Sequence, residues 1–107
     1  MKGVKIVVLM VLVVMLGIGI AFALQQEASA AKGKALFNDP KLGATGKTCN
    51  TCHPDGKGLE KTGAKNNLEK TLNACITTPL KGKALDVKSV EMQSLVLYIK
   101  SLGLKNQ

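Results

Sequence analysis

Apolar residues first fall in one unbroken run, Ile6 to Leu24, and afterwards recur only at helical spacing. Leu68, Leu72, Cys75 and Ile76 stand at i, i+4, i+7 and i+8, one face of a helix. Asn66-Asn67 is placed to cap that helix and Pro79 to end it. Met92, Leu95, Val96, Ile99 and Leu102 form a second stripe, with Ser89 as its cap and Gly103 as its stop. Ala31 to Asn38 reads as a shorter helix closed by Asp39-Pro40. Between these segments, 41–48 is a Gly/Thr-rich loop, 53–58 a turn, the stretch to Ala64 irregular, and Leu80 to Lys88 a basic loop. No strand alternation, internal repeat or low-complexity tract stands out. The pattern predicts an all-α domain of three or more short helices.

The leading apolar run changes how the rest is read. Met1-Lys2-Gly3-Val4-Lys5 is short and positive, and small residues follow the run at Ala21-Phe22-Ala23 and Ala28-Ser29-Ala30. That is the layout of an export signal, with cleavage expected after Ala23 or Ala30. The run is 19 residues long, close to the roughly 20 that span a bilayer, so an uncleaved N-terminal membrane anchor helix is the alternative. The expected organisation is a signal or anchor over 1–23, a linker over 24–31 and one domain over 32–104. Either reading places the domain in the periplasm or on the outer face of the cytoplasmic membrane.

Without the leader, roughly 75–85 of the 107 residues remain, near the size where a hydrophobic core alone gives little stability. The 46% hydrophobic content largely reflects the leader; the remainder has no Trp and only Phe37 and Tyr98 as aromatics. Such a chain needs a further apolar centre. The net charge of +8 falls to +6 if Lys2 and Lys5 leave with the signal. A basic surface suits nucleic acid, anionic lipid or acidic proteins, and export argues against nucleic acid.

Cys49-Asn50-Thr51-Cys52-His53 carries the chemistry. Two cysteines separated by two residues and followed at once by histidine form the attachment signature of c-type haem. The two thiols can reach the two vinyl groups from one tight turn, and the next side chain, His53, can reach the iron. One covalent haem c, held by Cys49, Cys52 and His53, would supply the missing apolar centre. A Cys₃His zinc site from Cys49, Cys52, His53 and Cys75 fits by residue type. The adjacency of Cys52 and His53 makes one tetrahedral metal hard to bind.

With that motif between Gly33-x-x-x-Phe37 and Leu95-Val96-Leu97-Tyr98-Ile99, the chain resembles the class I monohaem cytochromes c over essentially all of 32–104. The resemblance implies first and last helices that cross at Gly33, Phe37, Leu95 and Tyr98. It also implies single-electron carriage between membrane or periplasmic redox proteins, and so no enzyme and no catalytic residues. The segment from Leu68-Glu69 through Cys75, Leu80-x-Gly82-Lys83-x-Leu85, Ser89-x-Glu91-Met92 and Tyr98-Ile99 is further similar to the haem domains of thiosulfate dehydrogenases and related sulfur-oxidation cytochromes.

The iron's sixth position is where the class I pattern breaks. That family usually places a Met on a stretch matching Leu80 to Gly82, and none is there. Met92, inside the second stripe, is one candidate ligand, and thioether ligation would give a fairly high reduction potential. Cys75 is the rival, because the sulfur-oxidation resemblance implies a thiolate ligand at its position. A lysine, a water or an open position completes the alternatives. The expected function is an exported electron carrier docking acidic redox proteins or membrane oxidoreductases, with Lys57, Lys61, Lys65, Lys81 and Lys83 as candidate docking groups. A haem subunit of a sulfur-compound-oxidising complex, or a small-ligand sensor, is the alternative.

Overall fold

The computed structural model describes residues 27–105, and the expected signal or anchor over 1–23 lies outside them. Four helices follow in order: α1 (Ala30–Phe37), α2 (Cys49–Cys52), α3 (Leu68–Thr77) and α4 (Val90–Leu104). Single 3₁₀ turns occupy Pro54–Gly56 and Thr62–Ala64. No strand occurs among the described residues, so the domain is all-α.

α1 begins where the Ser29 hydroxyl accepts a hydrogen bond from the Lys32 amide at 3.1 Å, meeting one of the donors that a helix start leaves unpaired. The helix starts at Ala30, one residue before the expected Ala31, and ends at Phe37, one before the expected Asn38. Gly33 and Phe37, four residues apart, form the buried face. The far end closes on the Asn38 side chain, which donates to the Lys34 carbonyl at 2.8 Å.

α4 carries α1, the Thr62–Ala64 turn and α3. Ser89 caps it, its hydroxyl accepting from the Met92 amide at 3.1 Å. Met92, Leu95, Val96, Ile99 and Leu102 are all buried, joined by Ser94 and Tyr98. The expected stop at Gly103 is not observed, since the helix runs on to Leu104. A Cβ on Gly103 would come within 2.9 Å of the Glu60 carbonyl oxygen; the glycine admits a neighbouring backbone rather than ending the helix.

α1 packs against α4, and the contact closes at Gly33. A Cβ there would lie 2.0 Å from the Ser94 carbonyl oxygen and 2.7 Å from Tyr98 Cβ, so only glycine lets the two backbones approach this closely. One turn further along α1, the rings of Phe37 and Tyr98 meet edge to face with centroids 5.2 Å apart, an arrangement worth about 0.5–1.5 kcal/mol beyond area burial. The amide of Ser29 donates to the fully buried hydroxyl of Ser94 at 3.2 Å. Leu68 and Ile76 of α3 complete one core with Phe37 and the α4 stripe.

α3 starts differently from expectation. Asn67 stands at the cap with φ +58°, and its side chain makes no capping bond. Instead its carbonyl accepts from the Thr71 amide at 3.2 Å. Asparagine is among the few residues that tolerate this left-handed backbone. The helix ends at Thr77, ahead of Pro79.

Candidate functional site

The Cys49-to-His53 stretch folds as one helical turn followed by an exit. Thr48 caps α2 reciprocally: its hydroxyl accepts from the Thr51 amide at 3.2 Å, and its own amide donates to the Thr51 hydroxyl at 2.9 Å. Residues three apart share a helix face, which puts Cys49 and Cys52 on one side of the turn, and both line the same cleft. His53 ends α2, its amide donating to the Cys49 carbonyl at 3.0 Å. There the backbone leaves helical geometry, at φ −127° and ψ 72°.

The histidine ring is oriented by the chain that follows it. Nδ1 lies 3.1 Å from the Lys57 carbonyl oxygen. A carbonyl can only accept, so Nδ1 carries the proton and donates, and in the neutral ring Nε2 then keeps its lone pair. Lys57 is brought back by the Pro54–Gly56 turn, inside which Asp55 sits at φ +54°. That left-handed residue is held by Asn50, whose Oδ1 accepts from the Asp55 amide at 2.8 Å.

Cys49, Cys52 and His53 line one cleft of about 100 Å³ that opens to solvent. Leu72, Cys75 and Ile76 of α3 line it, with Pro79 and Leu80 from the segment that follows. Phe37, Leu95 and Ile99 of the core reach it as well, as do Leu59 and Thr62. The surface is apolar apart from the thiols, the imidazole and a few threonine hydroxyls. Burial pushes the Cys49 thiol above its ordinary pKa, and the neighbouring Cys75 and then Cys52 thiols raise it further. Cys49 is therefore a neutral thiol at pH 7, within electrostatic reach of Cys75.

The residues singled out from the sequence fall into two groups. Cys49, Cys52, His53 and Cys75 share the cleft. Met92 does not line it; it is 0% exposed within the core cluster. Among the described residues, no three His, Cys, Asp or Glu side chains converge as a group that could hold a metal ion. Lys57, Lys61, Lys65, Lys81 and Lys83 are all exposed, Lys81 in left-handed backbone at φ +52°. Thr48, Asn50 and the Lys57 carbonyl escaped the sequence reading. The Thr48–Thr51 box lacks the Glu or Gln that usually marks one, and a carbonyl acceptor leaves no trace in a side-chain pattern.

Among the described residues, no helix is long and apolar enough to cross a membrane. Comparison with known protein families, curated proteins and solved structures returned no match.

Proposed function

We propose that the chain is an exported monohaem c-type cytochrome of the class I fold, which carries single electrons between periplasmic or membrane redox partners. One observation carries the reading. Two thiols one helical turn apart, and an imidazole whose Nδ1 is already engaged, open onto the same apolar cleft. Those residues fit the group: Cys49 and Cys52 would hold haem c through thioether bonds, and His53 would bind its iron through Nε2. When bound, the haem supplies one-electron chemistry by exchange between ferrous and ferric iron.

The chain's own residues do the rest. Lys57 holds the imidazole in the tautomer that frees Nε2 and makes the ring a better donor. Phe37, Leu59, Leu72, Ile76, Leu80, Leu95 and Ile99 give the cleft its apolar lining. Cys75 rather than Met92 would be the further residue to hold the iron, because Cys75 lines the cleft and Met92 is sealed in the core. The exposed lysines suit acidic redox proteins, and electron-transfer rates should then fall as salt screens the attraction. No catalytic residue is assigned. The alternative, a haem subunit in sulfur-compound oxidation or a small-ligand sensor, is favoured by the same Cys75 thiol, accessible from the cleft.

The test is expression of the full chain in a host that attaches haem c. The purified protein is expected to be red, heavier than its polypeptide by one haem, and to keep its colour on denaturation. Cys49→Ala and Cys52→Ala should each lose one thioether. A colourless protein retaining three titratable thiols would overturn the proposal.

A further inference from the structure

Asn73 stands on α3 two residues before Cys75, and its carboxamide makes a matched pair of bonds to one distant residue. Its Nδ2 donates to the Leu85 carbonyl at 2.9 Å, and its Oδ1 accepts from the Leu85 amide at 2.8 Å. Both bonds are partly buried and span 12 residues of sequence. The chain they close into a loop includes Pro79 and Leu80, which line the cleft with Cys75. At its α3 end this loop is stitched by the Gly82 amide to the Ile76 carbonyl at 2.7 Å. It also reaches the Gly/Thr-rich loop, through the Ala44 amide and the Leu80 carbonyl at 2.8 Å. Asn73 fastens its other end.

We propose that Asn73 is a positioning residue for this wall of the cleft: it holds segment 78–85 closed against α3 and so keeps ligands from solution off the iron. The inference rests on the haem reading above. A carboxamide is the group that the geometry asks for. A backbone amide and a backbone carbonyl of one residue need an acceptor and a donor side by side, which Asn supplies. Asp keeps the shape but turns a carboxylate oxygen onto the Leu85 carbonyl, and Ala leaves both backbone groups without this partner. Leu85 itself packs against the core, so releasing it loosens the segment that carries Leu80 and Pro79.

The experiment uses the oxidised holo-protein and imidazole as the probe, followed through the shift of the main haem absorption band. Asn73→Asp and Asn73→Ala are each expected to bind imidazole about tenfold faster or more, the factor that two hydrogen bonds of ordinary net strength correspond to. Val96→Ala serves as a control for general loss of stability, because Val96 is buried in the core but does not line the cleft; it should leave the rate near that of the parent. Asn73 variants at the parent rate, or a Val96→Ala rate raised as much as theirs, would overturn the inference while a red parent protein leaves the haem reading standing. A colourless parent overturns both. Should neither Asn73 variant be recovered with haem, amide hydrogen exchange of the parent decides: the Leu85 amide is expected to share the protection of α3. Exchange there as fast as in an exposed loop would refute the clamp.

Discussion

Replacement of Met92 and of Cys75 separates packing from ligation. Met92 is 0% exposed and touches the α4 core, with Ile99, Leu95 and Phe37 in the same cluster. Met92→Ala removes a fully buried side chain, for which about 2–5 kcal/mol is the usual loss. In a domain of this size each kcal/mol shifts the melting temperature by about 4–8 °C, so a fall of roughly 10–30 °C is expected. Met92→Leu is nearly volume-conserving and should cost less than about 1.5 kcal/mol, yet it deletes the sulfur as completely as alanine does. If Met92 only packs, both variants keep the parent's oxidised and reduced spectra and its potential, and only the melting temperature distinguishes them. Cys75→Ser should do the reverse: the oxidised spectrum changes, and the potential rises as a strongly donating sulfur is lost. The assay is absorption spectroscopy of both oxidation states with a redox titration, run beside thermal melts. A Met92→Leu protein that loses a weak far-red band present in the parent, beside a Cys75→Ser protein with the parent spectrum, would refute the assignment and restore Met92 as the ligand.

Three further outcomes follow from the geometry. Gly33→Ala gains about 1 kcal/mol of helix propensity, but its Cβ would meet the Ser94 carbonyl oxygen at 2.0 Å and Tyr98 Cβ at 2.7 Å. Overpacking of 1–3 kcal/mol or more then prevails, and chemical denaturation should show a net loss of about 1–2 kcal/mol; a stabilised variant would contradict the close approach. The Tyr98 hydroxyl is pushed above its ordinary pKa by burial and then by the charge of Asp55. The folded state therefore holds that proton more tightly than the unfolded chain. Its stabilising contribution is complete below about pH 10 and is lost as pH rises through the folded value. Tyr98→Phe should flatten the alkaline fall in stability, and an unchanged alkaline limb would count against the reading. Finally, because core residues Phe37, Leu95 and Ile99 border an apolar cleft, the chain without haem is expected to be largely unfolded. Circular dichroism of protein made without haem attachment checks this, and a cooperative melt with native-like helix content would refute it.

The helices were legible because their signal is local and periodic. Met92 through Leu102 repeats at helical spacing, and Ser89 caps that helix as its position suggested. Gly103 misled because a glycine near a helix end has two uses, and only the Glu60 backbone lying against it tells them apart. Asn67 misled in the same way: the residue type fits a side-chain cap, while the left-handed backbone makes it a corner. Of the cleft, the sequence revealed the donors but not their arrangement. A stripe says that Cys75 and Met92 each lie on an apolar helix face, not which face is covered by core and which borders a cavity. Asn73 was invisible, since its two bonds depend on a residue 12 positions away.

The hydrogen bond between the Ser29 amide and the Ser94 hydroxyl also bears on how the chain can be processed. Scission after Ala30 would carry Ser29 away with the leader. α1 would lose its cap, at a cost of about 0.5–2 kcal/mol, and Ser94, at 0% exposure, would lose the donor at its hydroxyl. Scission after Ala23 leaves both intact. Of the two small-residue sites, the second is thus already built into the folded domain, so if the proposed signal is cleaved the protein is expected to begin near Leu24, and if it is kept as an anchor at Met1; N-terminal sequencing reads the difference directly.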